Sequence, residues 1–362
     1  MIHLERVTVM VTGVGGGSYG EQILKALQMS NKNYRIITAD MLPFSRGLYI
    51  SDKSYILPPA SNERYIHELL NICKFEKVKA LFHGSDPELK CFDKHRNEIE
   101  AHGIFLPINS SNVLDICLDK FKTSNWLKQN GFYSPETQKI KKMEDLNGIN
   151  SFPQVLKPSI GGGGSVNTFL VQNMDECEMY SSFLLKIYDE FIAQRYVGNF
   201  DSEYTVGVLC DLEGVLINSI GVKKYILSGL SNKIKVKNFK TGEFLAISSG
   251  ISQGQIGRFP EVTNACIKIA TALGATGAIN IQCRMEKNKC YVFEINPRFS
   301  GTTSLRAMVG YNEPDILLKK YIYNENIEPF FEFKEGYIMR GLCENFVETL
   351  GAKSDNANID DD

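Results

Sequence analysis

Glu294, Asn296 and Arg298 stand at alternate positions in the stretch YVFEINPRFSG, between the apolar Phe293, Ile295, Pro297 and Phe299. Side chains of an extended strand point alternately to its two faces, so this pattern sets a carboxylate, an amide and a guanidinium in one row. A wet edge strand has no use for three different polar chemistries at that spacing, least of all with a proline among them. Upstream, AINIQCRM places Asn280 and Gln282 on one face of what reads as the partner strand of a hairpin. Magnesium takes oxygen ligands, typically one or two carboxylates, an amide oxygen and substrate phosphates. Gln282, Glu294 and Asn296 supply such a set, and Arg298 would then meet a phosphoryl group and stabilise the charge that spreads over its oxygens during transfer.

Phosphate chemistry needs further cations, and two lysines are placed to provide them. Lys157 lies in FPQVLKPSIGGGGS between Val155, Leu156 and Pro158, so its ammonium projects from an apolar strand at the mouth of a glycine run and requires an anionic partner. Lys120, in CLDKFKTSNWL at a helix start, reads alone as a solvated helix lysine and gains meaning from its company. Gly161, Gly162, Gly163 and Gly164 with Ser165 can bring backbone N–H groups close to phosphate oxygens and can also move, as a covering lid must. Downstream, FIAQRYVGNFDSEYTVGVL offers Arg195, Tyr196 and Val197 after an apolar strand and Glu203 at the start of the next. A purine ring needs an apolar slot with a backbone donor and acceptor, and its ribose a carboxylate. Tyr196 and Val197 suit the first and Glu203 the second. For a second, anionic substrate the sequence offers Lys223, Lys224, Ser228 and Ser231 on an expected loop, and Ser300, Thr302 and Arg306 just past the metal strand.

The elements that must position these residues fall into two patterns. Residues 7–110 alternate β-rich apolar runs (VTVMVTG, YRIITAD, VKALFHGS, IFLPIN) with helical ones, which argues a doubly wound parallel sheet. Its glycine-rich turn VTGVGGGSYGEQ, with Gly13, Gly15, Gly16 and Gly17, opens a helix as a dinucleotide-binding turn does, and Asp40 ends the following strand where it could hold a ribose. An NAD-dependent oxidoreductase is therefore one alternative. The bland alternative is a tight turn that leaves helix N–H groups for some anion. From about residue 112 the pattern changes to α+β: two short helices, strands around the glycine run, a helix near 175–188, then long strands and the helix VTNACIKIATALG.

Composition narrows the function classes. With 362 residues the chain can bury more than one core, and 40 Lys and Arg against 42 Asp and Glu give a net charge of -2. That balance offers no field to recruit nucleic acid or a membrane surface. The start lacks a signal-peptide pattern, and no stretch reaches the roughly 18 apolar residues of a membrane span, so a cytoplasmic location is expected. The nine cysteines lack any CxxC spacing and are read as reduced packing residues. The polar, acidic end at 351–362 is expected to be disordered.

Together these segments resemble the ATP-grasp superfamily, most closely its carbamoyl phosphate synthase large-subunit branch. The resemblance rests on Asp119, Lys120 and Thr123, on LKPSIGGGGS, and on Gln282 followed by EINPR, in that order. It implies an α/β plus α+β chain: a Rossmann-like domain over 1–112, then an ATP-grasp domain over 113–350 with a mobile lid subdomain at about 135–195. It implies ATP and Mg2+ (or Mn2+) as cofactors, with Lys120 and Lys157 on the phosphates, the 161–165 loop closing over them, Tyr196 and Val197 against adenine, Glu203 on ribose, and Glu294 bridging two metal ions with Gln282 and Asn296. Arg298 would face the transferred phosphoryl group. The preceding domain, including HGSDPEL (His83 to Leu89), would serve the acceptor side. The implied activity is ATP-dependent ligation of a small carboxylate to an amine through an acyl phosphate, in an assembly compatible with a homodimer. Two departures count: Arg195 replaces a common acidic residue, and the chain carries one such half where carbamoyl phosphate synthases carry two. A non-catalytic ATP-binding module is the remaining alternative.

Overall fold

In a computed structural model, residues 6–161, 163–227 and 229–351 are described. Gly162, Ser228 and most of the expected acidic tail lie outside them. The first unit runs β1 (Thr8–Thr12), α1 (Tyr19–Gln28), β2 (Arg35–Asp40), β3 (Lys53–Ile56), α2 (Tyr65–Phe75), β4 (Ala80–Phe82), α3 (Asp86–Lys94) and α4 (Arg96–Ala101). Its four strands form a parallel sheet in the order β3-β2-β1-β4. The all-buried TVMVT of β1 is what a strand covered on both faces requires. The expected strand at IFLPIN contributes only a single bridge, Phe105 to Ala80.

Two helices, α5 (Ser111–Cys117) and α6 (Lys120–Gln129), lead into the second unit. Asp119 caps α6, accepting from the N–H groups of Phe121 and Lys122, so Lys120 sits in the first turn. Next come β5 (Thr137–Ile140), β6 (Gln154–Pro158), β7 (Phe169–Val171), α7 (Met174–Leu184) and β8 (Phe191–Arg195). These strands form a separate antiparallel sheet, order β5-β8-β6-β7, with its own small core around Ile140, Leu156, Leu184 and Phe191.

The remaining elements are β9 (Glu203–Cys210), β10 (Leu216–Lys224), β11 (Asn232–Lys237), β12 (Phe244–Ser248), β13 (Gly254–Gly257), α8 (Pro260–Leu273), β14 (Ala278–Glu286), β15 (Lys289–Asn296), α9 (Thr303–Met308), α10 (Glu313–Tyr321) and β16 (Gly336–Ile338). Six of the strands build an antiparallel sheet, order β15-β14-β9-β10-β13-β16, with α8 packed on one face. The hairpin β14–β15 pairs Gln282 with Glu294 and Asn280 with Asn296. The ribbon β11–β12 stands apart from the sheet. Lys223 and Lys224, expected on a loop, end strand β10 instead, and Lys224 is buried.

The two units share one core. Val9, Val11, Ile23 and Leu27 of the first pack in a single cluster with Leu209, Ile220, Leu305 and Leu317 of the second. Asn109, buried between them, donates to the carbonyls of Ala278 and Pro297 (2.9 and 3.0 Å) and accepts from the N–H of Thr276 (2.8 Å). One side chain thus fixes the start of β14 and the segment after β15 to the end of the first unit.

Candidate active site

A cavity of about 590 Å³ opens where the parallel sheet, the small sheet and the six-stranded sheet meet. Its lining includes Lys120, Lys157, Gly161, Gly164 and Ser165, Arg195 to Val197, Glu203, Lys224, Gln282, Glu294, Asn296 and Arg298. The lining also includes Gly17, Ser18 and Tyr19 at the glycine-rich turn and Ser85 and Asp86 at the start of α3. Residues spread over the whole chain therefore face one volume of the size small-molecule sites occupy.

At the end of the cavity beside the glycine loop, Lys157 on β6 is buried, with its Nζ 5.4 Å from the centre of the Phe293 ring and 3.5 Å from the Phe293 carbonyl. Burial pulls its ammonium down to about 8, against the pull of the nearby Glu294 carboxylate. Lys120 donates to the Gly161 carbonyl (2.7 Å), tying α6 to the glycine loop. Gly161 and Gly164 have φ of +73° and +67°, values that favour glycine, and Ser165 (φ 62) donates its hydroxyl proton to the Ser248 carbonyl.

Glu203 is more constrained than a free ribose ligand. Oε1 accepts from Lys224 Nζ (2.9 Å) and Ser248 Oγ (2.5 Å), and Oε2 accepts from the Arg284 guanidinium (2.7 and 2.9 Å). Burial alone would raise this carboxyl, but Lys224 and Arg284 outweigh it and hold it at about 2. Any ribose hydroxyl would have to displace one of four donors. Arg284 also lies over the Tyr196 ring (4.4 Å), and the Tyr196 hydroxyl donates to the Ala246 carbonyl (3.2 Å), so this ring braces the ribbon β11–β12. Arg195 lines the cavity while its guanidinium pairs with Glu286 (3.1 and 3.3 Å) over Tyr291.

The candidate metal set meets across the hairpin. Gln282 Oε1 accepts from Lys224 (2.9 Å), its Nε2 donates to Glu294 (3.2 Å), and Asn296 Oδ1 accepts from Arg298 (3.1 Å). Both amide oxygens thus already carry a cationic partner, and with the Glu294 carboxylate they fit the hard-oxygen chemistry of Mg2+. Arg298 continues to the first unit, donating through Nε to Asp86 (2.8 Å) and lying 4.0 Å over the Tyr19 ring. Tyr19 in turn donates to Asp86 (3.1 Å) and lies 3.3 Å from His83 Nδ1. Burial, with Arg298 adding, pushes His83 down to about 3, so its ring is neutral and serves as a packed hydrogen-bonding group. Burial acts the other way on Asp86 and would raise it, but Arg298 holds it below the ordinary range.

Of the expected second-substrate residues, Ser300 and Thr302 line the cavity and bond to each other (2.6 Å). Arg306 does not reach it. Fully buried, it pairs with Glu313 (2.9 Å) and donates to Asn280 (2.6 Å), locking α9 and α10 to β14. Gly207 of β9 leaves the space it fills, since a Cβ there would stand 2.3 Å from its guanidinium. Sequence reading missed Arg284, although strand alternation from Asn280 and Gln282 put it on the same face. Tyr19 and Asp86 lay within stretches already singled out, but nothing local tied them to Arg298.

Known proteins place this architecture. A family model for the PylC-like N-terminal domain matches residues 10–107, and one described as ATP-grasp in the biosynthetic pathway with Ter operon matches residues 246–342. Among solved structures, an L-amino acid ligase from Bacillus licheniformis superposes with a TM-score of 0.60 at 16% identity, covering 90% of this chain and 78% of that one. A biotin carboxylase from Campylobacter jejuni, solved with β,γ-ATP, gives 0.59 at 17%, covering 87% and 70%. D-alanine–D-alanine ligase from Bacillus anthracis gives 0.52 at 16%, covering 88% and 96%. At such identities the likeness is one of fold: a Rossmann-like parallel sheet followed by antiparallel sheets, in the arrangement of the ATP-grasp fold.

Proposed function

We propose that this protein is an ATP-dependent carboxylate–amine ligase: the γ-phosphoryl of ATP passes to a substrate carboxylate, and an amine then displaces phosphate to form an amide. The observation that carries this reading is the convergence on one cavity of Lys120, Lys157, the glycine loop, the Gln282–Glu294 pair and Arg298. A carboxylate does not react with an amine in water, whereas an acyl phosphate has a good leaving group, so one hard step becomes two easier ones.

The chain's own groups have defined tasks in this scheme. Lys157 and Lys120 neutralise the phosphate tail, and the 161–165 loop closes over it and excludes water. Tyr196 and Val197 offer the backbone edge for adenine. Magnesium, held by Glu294 with the amide oxygens of Gln282 and Asn296, would supply charge neutralisation at the phosphates. Arg298, held by Asp86 and Tyr19, faces the transferred group, where a fixed cation is worth most in the transition state. The glycine-rich turn at 13–17 opens onto the same cavity through Gly17, which favours a place in acceptor binding over an independent dinucleotide site. The fold relatives name amino-acid ligation among their activities, which supports a small amino acid or related acid as substrate. The likeness to the carbamoyl phosphate synthase branch rests on motif order alone.

Screening acids and amines for ADP release tests this reading, with hydroxylamine trapping the activated acid as a hydroxamate. ADP release that requires an acid, with hydroxamate formed, is the expected result. ATP binding without turnover for any acid would make the protein a binding module instead.

A further inference from the structure

The face of the β14–β15 hairpin turned away from the cavity carries a second constellation. Cys266 of α8, Cys283 of β14 and Cys290 of β15 come from three elements, yet their sulfurs all lie within 4.8 Å of one another. With no CxxC spacing, nothing in the sequence marks the nine cysteines as more than packing residues. Only the folding of α8 against the hairpin brings these three together.

We propose that Cys266, Cys283 and Cys290 form a three-sulfur binding site for a soft monovalent cation of the copper(I) class. Metal–sulfur bonds of about 2.3 Å in a trigonal plane need sulfurs ~4.0 Å apart, inside the spacing observed. The surroundings select softness. The cluster lies among Val262, Ile269, Ile281, Val292 and Ile295, an apolar shell poor in the oxygen ligands that magnesium or calcium require. Three ligands without a fourth suit copper(I) better than zinc, which takes four in structural sites. Entry is through Cys290, 8% exposed and two residues from the hairpin turn at Asn288, while Cys266 and Cys283 are fully buried. Each sulfur–metal bond that replaces an S–H bond sends its proton to solvent, so affinity rises with pH. Because Cys283 adjoins Gln282, an ion here would pin the strand that carries the proposed magnesium ligands from its other side.

The reduced full-length protein, titrated anaerobically with copper(I) against a chromogenic copper(I) chelator, provides the test. We expect one tightly held equivalent, a raised melting temperature, and an X-ray absorption spectrum showing a three-sulfur shell. Cys283→Ala should weaken binding at least a hundredfold, and Cys343→Ser, which alters an exposed cysteine, should leave it unchanged. Should Cys283→Ala fold poorly, the wild-type absorption spectrum still decides. A shell with fewer than three sulfurs, or loss of binding in Cys343→Ser, overturns the proposal.

Discussion

The two carboxylates that face the cavity from either side of β14, Glu203 on β9 and Glu294 on β15, differ sharply in what surrounds them. Glu203 is enclosed by Lys224, Arg284 and Ser248, and its charge is spent within the protein. Glu294 accepts a neutral amide from Gln282 and carries its charge toward the ligand volume. The same residue type thus serves as structure in one place and, in the proposed scheme, as metal ligand in the other. The difference is set by whether cations arrive on adjacent strands: β10 and β14 bring Lys224 and Arg284 to Glu203, while opposite Glu294 the β14 residue is Gln282.

Replacing Glu294 breaks the comparison from its functional side and carries the largest expected effect. Glu294→Gln should cut ADP formation by about a thousandfold or more with the fold intact, read by circular dichroism beside turnover. Turnover within tenfold of wild type would show that the metal set lies elsewhere. Glu203→Gln attacks the structural side. Leaving two buried cations short of their counter-charge should cost about 3–5 kcal/mol, measured by urea denaturation. A loss below about 1 kcal/mol would remove Glu203 from the structural role assigned here. The linkage has a defined sign. Because the Glu203 carboxyl is depressed to about 2, its stabilisation is complete above its ordinary value of 4.5 and is lost as pH falls toward 2. Wild type should therefore lose stability across that window more steeply than Glu203→Gln.

Smaller effects sharpen the contrast at the phosphate end. Asp86→Asn should lower kcat by about ten- to a hundredfold with ATP affinity unchanged, since Asp86 accepts from Arg298 and holds it in place for the proposed transfer step. Equal losses in ATP binding and kcat would contradict a positioning role. Lys157 gives the smallest change: with its ammonium at about 8, nucleotide affinity should fall about tenfold between pH 7.5 and 9. Lys157→Arg should flatten that dependence, because a guanidinium keeps its proton there.

What could be read in advance follows the range of the forces involved. Alternation along AINIQCRM and YVFEINP reveals a hairpin with Gln282 and Glu294 on its polar face, because a strand writes its faces into every second residue. The parallel sheet of the first unit was legible for the same reason, as strand and helix periods alternate. The ribbon β11–β12 escaped notice: NKIKVK alternates lysine with aliphatic residues, and its apolar side rests on a distant Tyr196. Arg306 was misread because its partner Glu313 lies across a helix–helix turn, and a buried pair looks like an exposed cation in the sequence. The Asp86 bridge to Arg298 spans 212 residues and depends on how two separately formed units dock.

Asn109 sets a limit on how such a molecule can work. Its carboxamide grips the backbone at both ends of the β14–β15 hairpin from the first unit, and Arg298 reaches back to grip Asp86, so hairpin and parallel sheet are stapled twice. In the proposed scheme, opening and shutting around a nucleotide would therefore fall to the four-stranded sheet β5-β8-β6-β7, which has a private core and would swing as a flap over a floor that stays still.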